Sequence, residues 1–289
     1  GVPGSQIHFQ GNNKSVGELT MAIENGVGDI VVDNREELER LETIAMEHNM
    51  VAPVSFRIKP GIDAHTHEFI RTGQIDSKFG LDLASGEAMD ALRRAQQLEH
   101  IVVKGLHCHI GSQILEKAPF VHAAEVMLQF FAKIRDELGM TLETLNLGGG
   151  FGIHYTEQDD AIPYEEYMGD VSAMVHSKCQ ELGLQLPRIY IEPGRSIVGE
   201  AGITLYTVGS IKEIPGVRNY VAIDGGMFDN PRYALYQSSY TCLLANKASQ
   251  PADYVATIAG KCCESGDLIQ EHTLIQKPEI GDIVAVLST

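Results

Sequence analysis

Residues 144–153 read "TLNLGGGFGI", a short apolar strand that runs straight into three consecutive glycines. A strand so short and continuously apolar fits burial on both faces, and the bare glycines beyond it allow close backbone approach. The same grammar recurs on either side. "QIHFQGNNKS" (6–15) leads into the helical stretch "VGELTMAIENG" (16–26), and "DIVVDN" (29–34) into "REELERLETIAMEHN" (35–49), with Asp33 or Asn34 as the helix cap. "VSFRIKPG" (54–61), "IVVKGLHCHIGSQI" (101–114) before "PFVHAAEVMLQFFAKIRDELG" (119–139), and "RIYIEPGRS" (188–196) continue the pattern. Repeated βα units imply a parallel sheet. Polar and glycine-rich residues gather at the carboxyl ends of many strands, not at one crossing point. That favours the mouth of a barrel over the switch point of an open sheet. Six units are visible, two short of a complete (β/α)8 barrel.

Beyond residue 203 the rhythm changes. "ITLYTVGSIKEI" (203–214), "NYVAIDGGMF" (219–228), "DYVATIAGKCC" (253–263) and "DIVAVLST" (282–289) are strands separated by turns, with little helical period between them. The expected fold is therefore α/β: a barrel-type domain over 1–202 followed by a mainly antiparallel β domain over 203–289. Residue 1 is Gly and the chain stops on a strand-like run. Both ends look cut, and the chain is expected to be a fragment with each domain incomplete.

The 289 residues suffice for one large or two ordinary domains. With 22 basic against 39 acidic side chains the formal charge is −17, which argues against a nucleic-acid partner. No apolar run approaches the roughly 18 residues of a membrane span, and no secretory segment opens the chain. The five cysteines, at 108, 179, 242, 262 and 263, include no CxxC pair, which fits a reducing cytoplasm better than a disulfide framework.

Five stretches carry candidate chemistry. The glycines Gly148, Gly149 and Gly150 form either an anion-cradling turn or a tight structural one; they match neither a Walker motif nor GxGxxG. In "IEPGRS", Glu192 and Arg195 flank a Pro-Gly turn, where Arg195 suits a phosphate or carboxylate, or pairs with Glu192 at the surface. His107 and His109 alternate in "HCHIGSQ", but no third ligand lies at metal-site spacing, so a stacked ring or a core histidine fits better than a metal. "DNPRYALY" offers Arg232 and Tyr236 to a carboxylate, or to solvent. In "GKCCESGD" (260–267), two adjacent cysteines precede a glutamate. A bridge between neighbours is strained, a metal lacks partners, and a nucleophile lacks an activating base.

In order along the chain, "FQGNNKS", "VDN", "HCHIGSQI", "LNLGGGFGI", "EPGRSIVGEAG", "DGGM" and "CCESGD" together resemble the diaminopimelate decarboxylase family, fold-type III enzymes dependent on pyridoxal 5′-phosphate (PLP). The resemblance implies a βα-barrel plus a β domain, in a cytoplasmic homodimer with shared active sites. The implied reaction converts meso-2,6-diaminopimelate to L-lysine and CO2, the last step of lysine biosynthesis. It implies that His109 stacks on the pyridine ring, that Ser112 and Gly148, Gly149 and Gly150 hold the phosphate, and that Glu192 pairs with the ring nitrogen. Gly194 and Arg195 join the cofactor contacts, and Arg195 also lies near the substrate. Arg232 and Tyr236 would grip a substrate carboxylate, Glu264 would recognise the distal amino-acid end, and Cys263 would deliver a proton after decarboxylation. Cys262 would only pack.

Two parts of the family pattern are not met within residues 1–289. The family's Schiff-base lysine lies in a "KAN"-like motif upstream of "FQGNNKS", and Lys14 does not take that role. A tyrosine beside the phosphate belongs to the family's last segment. The chain alone is thus expected to bind PLP weakly and not to turn over. Arginine, ornithine and carboxynorspermidine decarboxylases share "HxGS", "GGG" and "EPGR", while "NPRYALY" with "CESGD" favours a substrate that has a second amino-acid end. Alanine racemase shares the architecture without these motifs. A non-catalytic decarboxylase-like binder is the reading from another class, and a retained Cys263 argues against it.

Overall fold

A computed structural model describes residues 1–62 and 77–289. Its contacts divide the chain into two units, Gly1–Gly152 with Ile162–Pro193, and Ile153–Ala161 with Gly194–Thr289.

The first unit alternates strands and helices: β1 (His8–Phe9), α1 (Val16–Glu24), β2 (Asp29–Val32), α2 (Arg35–Glu47), β3 (Ala52–Lys59), β4 (Leu81–Asp82), α3 (Glu87–Ala95), β5 (Ile101–His107), α4 (Ala118–Leu138), β6 (Thr144–Asn146), α5 (Tyr164–Leu182) and β7 (Arg188–Tyr190). All strand pairs are parallel, in the order β1-β2-β3-β5-β6-β7, with β4 added at the end of β3. Local sequence starts and stops the helices. Ser15 and Glu18 form a reciprocal capping box at α1. Asn34, the second of the two cap candidates, accepts the Glu37 N–H at 2.9 Å.

The sheet is strongly curled. Six strands laid flat at about 4.8 Å spacing would hold the outer two roughly 24 Å apart. Yet the His8 ring, on β1, lies 4.7 Å from the Tyr190 ring, on β7. Just beyond the same strands, Gln10 donates to Glu192. This is the arc of an incomplete barrel, as expected from the repeated units. Ile30, Val32, Val54, Phe56, Leu106 and Leu145 pack in its core and are essentially inaccessible.

The second unit holds α6 (Arg195–Val198), β8 (Ile203–Ile214), β9 (Arg218–Ile223), α7 (Arg232–Tyr236), β10 (Cys242–Leu244), β11 (Tyr254–Ala259), β12 (Leu268–Ile275) and β13 (Ile283–Leu287). Its sheet runs β10-β13-β8-β9-β11-β12, antiparallel except for β9 with β11. That parallel pair is possible because the long connection between its strands, carrying α7 and β10, can cross back over the sheet. The two ends of the sheet are bridged: the Tyr240 N–H donates to Gln270 Oε1 and the Leu244 N–H to Gln276 Oε1, both at 2.7 Å.

Three elements of the first unit, β4, α3 and α5, lie outside the strands and helices read from sequence. So do β10 and β12 of the second. All five cysteines are free thiols. Among the described residues no helix is long and apolar enough to cross a membrane.

Candidate active site

Strand carboxyl ends in the first unit converge on Glu192, which follows β7. Its carboxylate accepts from Asn146 Nδ2 at 2.7 Å and from Gln10 Nε2 on one oxygen, and faces His107 Nε2 at 3.4 Å on the other. Burial pushes this carboxyl up, but the bonds from His107 and Asn146 outweigh it and the net value lies below the usual carboxylate range. His107 is fully buried while His109 is exposed, so the two histidines do not share a face. β5 ends at His107, and His109 lies beyond it in the following loop. Among the described residues no group of three or more His, Cys, Asp or Glu could hold a metal ion.

His109 is fixed by a donor. The Gly149 N–H reaches its Nδ1 at 3.3 Å, which places the proton of the neutral ring on Nε2. Although the residue is exposed at the mouth, crowding by surrounding protein, then the charges of Arg57 and His107, lower its pKa to about 4. A neutral, anchored imidazole presents an uncharged face, as stacking on a planar ring requires.

The three glycines are packed from both sides. A Cβ on Gly149 would collide with the Glu192 carbonyl oxygen, and one on Gly150, whose φ is +104°, with the Gly111 carbonyl oxygen. The turn also ties neighbouring loops together, since the Glu192 N–H donates to Gly148 O at 2.8 Å and the Ile114 N–H to Gly150 O at 2.9 Å. Asn146 joins the two motifs directly. Its Oδ1 accepts the Gly148 N–H at 2.9 Å while its amide donates to Glu192. Ser112 is exposed on the loop after β5.

Lys14 is occupied elsewhere. Almost wholly buried, its ammonium donates to Gly11 O (2.7 Å), Val31 O (2.8 Å) and Glu37 Oε1 (2.7 Å), which uses all three of its donors. It is a structural lysine.

In the second unit, Gly194 precedes α6, and Arg195 opens that helix. The guanidinium of Arg195 lies 5.7 Å from the centre of the Tyr155 ring and that of Arg232 4.9 Å from it; Arg232 is also 5.8 Å from the Tyr236 ring. Burial, with the Arg232 charge a smaller contribution, pulls the Arg195 pKa down while Tyr155 opposes the shift. Arg232 Nη2 donates to Ser238 at 3.2 Å, and its buried Nε has no protein partner among the described residues. Tyr236 is exposed.

The loop 260–267 has its own anchor. Asp267 is 2% exposed, and its carboxylate accepts the Met227 N–H at 2.6 Å and the Cys262 N–H at 2.7 Å. It thereby clips "DGGM" to "GKCCESGD". Cys263 and Glu264 are left exposed, whereas Cys262 is half-buried. The hydrogen bond to Asp267, then burial, raise the Cys262 pKa and keep that thiol protonated. The two neighbours thus differ in setting: one faces solvent and the other packs on the clip.

Sequence reasoning missed Gln10, Asn146, Tyr155 and Asp267. Gln10 and Asn146 could have been found as the polar residues closing short apolar strands. Tyr155 carries no local signal.

Residues 1–199 match the family model "Pyridoxal-dependent decarboxylase, pyridoxal binding domain". Along its whole length the chain is 49% identical to diaminopimelate decarboxylase of Bacillus methanolicus and 50% identical to that of Bacillus subtilis, of which it covers 67% and 66%. The chain belongs to the diaminopimelate decarboxylase family. A solved member from M. jannaschii, in co-complex with L-lysine, superimposes with a TM-score of 0.88 at 35% identity, covering 99% of this chain and 65% of that one. The chain therefore spans about two-thirds of the length of these relatives.

The family's cofactor, PLP, fits the residues present. A carboxylate held ionised by three donors suits a protonated pyridine nitrogen. The neutral His109 ring suits a stacking partner.

Proposed function

We propose that the protein carrying this chain decarboxylates meso-2,6-diaminopimelate to L-lysine and CO2, with PLP as cofactor. The observation that carries this reading is the near-50% identity to curated diaminopimelate decarboxylases over all 289 residues. The Glu192 network supports it chemically.

When bound, PLP supplies the electron sink for the pair left behind as CO2 departs. Glu192, kept anionic by His107 and Asn146 and also bonded by Gln10, would pair with the ring nitrogen and favour its protonated form, and His109 would stack on the ring. Ser112, Gly148, Gly149, Gly150, Gly194 and Arg195 would hold the phosphate. Arg195, Arg232 and Tyr236 bind substrate carboxylate, and Glu264 binds the distal amino-acid end. Cys263 gives a proton to the substrate carbon once CO2 has left. The working state is a cytoplasmic homodimer in which Cys263 and Glu264 serve the partner's site. Their exposure on a well-anchored loop is consistent with that arrangement.

Cys263→Ala and Cys262→Ala, made in the holoenzyme carrying this sequence, test the reading through CO2 release and PLP absorbance. Cys263→Ala is expected to lower kcat on the order of 100- to 10,000-fold with PLP retained. Cys262→Ala is expected to change kcat less than about threefold, since that thiol only packs. Equal effects of the two, or faster release of CO2 from ornithine or arginine than from diaminopimelate, would overturn the assignment.

A further inference from the structure

Tyr155 lies in the stretch 153–161, which follows the glycine turn in sequence but packs with the second unit. Two guanidiniums converge on its ring, Arg232 at 4.9 Å and Arg195 at 5.7 Å from the centroid. Like charges this close repel, and Arg232 carries a buried Nε without a protein partner among the described residues. The negative face of an aromatic ring offsets part of that repulsion without itself forming an ion pair. A carboxylate side chain in the same place would instead form ion pairs and use up the donors that an anionic ligand needs.

The ring is held firmly enough to act as a platform. It is 7% exposed and meets the Tyr240 ring edge-on, with centroids 5.3 Å apart and planes at 89°. Its backbone is tied on both sides. The Asp159 carboxylate accepts the N–H groups of Tyr155 at 3.0 Å and Thr156 at 2.8 Å, while Thr241 Oγ1 donates to Tyr155 O at 3.1 Å. Arg232 is steadied from its other side by Tyr236 and Ser238.

We infer that Tyr155 is a positioning residue that holds Arg195 and Arg232 as a paired cationic clamp and so sets the preference for a substrate with a carboxylate at its far end. This rests on the reading that the two arginines bind substrate carboxylate. The face of the ring does the work, and the hydroxyl is secondary.

The test uses the PLP-loaded enzyme carrying this sequence, with diaminopimelate as substrate and the dicarboxylate pimelate as competitive inhibitor. Tyr155→Leu removes the ring and is expected to raise both KM and the pimelate inhibition constant about tenfold, with a much smaller change in kcat. Tyr155→Phe, which keeps the ring, is expected to recover most of that loss. Should Tyr155→Leu fold poorly, a series with mono-, di- and trifluorophenylalanine at position 155 keeps the shape while draining the ring face. Pimelate affinity is then expected to fall with each fluorine. A flat fluorine series, or equal damage from Phe and Leu, overturns the inference. Arg232→Gln separates the two levels. If it leaves pimelate binding unchanged, the carboxylate reading itself fails. If it weakens pimelate while Tyr155→Leu does not, only the role of Tyr155 fails.

Discussion

Replacing Asp267 with Asn tests the anchor of the loop that presents Cys263. The carboxylate accepts two short backbone bonds, from Met227 and Cys262, in a site 2% exposed to solvent. Asn keeps one acceptor oxygen but turns an amino group toward the other N–H. One charge-assisted bond of roughly 1.5–3 kcal/mol is lost, and a buried donor is left facing a donor. Because the loop can shift to wet that donor, the expected loss is about 2–4 kcal/mol. Lengthening the side chain is no remedy. The carboxylate is wedged against Gly226 and Gly260, where an added Cβ would already collide with its oxygens, so Asp267→Glu is expected to be no better. Urea unfolding followed by circular dichroism measures the stability, since the chain has no tryptophan. A second readout is alkylation of Cys263 by iodoacetamide in a Cys262→Ala background, expected to change severalfold as the loop loosens. An unfolding free energy within about 0.5 kcal/mol of wild type would refute the clip as drawn.

Three further outcomes follow from the first unit. Lys14→Met strands the buried Glu37 carboxylate and is expected to cost about 3–5 kcal/mol, while adding Glu37→Leu recovers only part of it, since Gly11 O and Val31 O stay without their donor; a neutral single variant in urea titration would show that the pair contributes no stability. Asn146→Asp sets a second carboxylate against Glu192 and removes a donor, so PLP affinity is expected to fall more than about tenfold by fluorescence titration. The sign with pH is fixed by the lowered Glu192 value. Its stabilisation is complete above the range where a free glutamate titrates and is lost as pH falls through the depressed value, so Asn146→Asp is expected to move acid unfolding to higher pH. His109, lowered to about 4, is expected to stay neutral by NMR above about pH 5. The unfolded chain takes up that proton near the ordinary histidine value, so His109 makes the fold lose stability as pH drops from there toward 4; titration near 6.5 would refute the depressed value.

The barrel was legible because its signal is local and repeated. Apolar runs such as "DIVVDN" and "TLNLGGG" report burial on both faces, and the polar residues that end them report a mouth. Strands β10 and β12 were not legible for the same reason. Burial along β12 alternates irregularly, with Ile269 and Ile275 inside but Leu274 exposed, so neither period stands out. The parallel pairing of β9 with β11 depends on where a long connection returns, which no window of sequence contains.

The site divides along the same line. Glu192, His109 and the glycines were readable as motifs because each sits where a strand ends and the backbone must turn. What sets their chemistry was not readable, because it comes from across the fold. Gln10 reaches Glu192 over 182 positions, Asn146 over 46, and Thr241 holds the Tyr155 backbone over 86. A motif states which group is present, while its ionisation and aim are decided by partners that only the curled sheet brings near. Glu192 shows the consequence most sharply: burial alone would push its carboxyl up, and His107 on β5 and Asn146 on β6 reverse the sign. Had the sheet been flat, with Gln10 at one edge and Glu192 at the other, the same "EPGR" would lose the Gln10 bond and part of its hold on the anion. The curvature that the strand ends imply thus adds the Gln10 bond to a carboxylate whose charge His107 and Asn146 already hold.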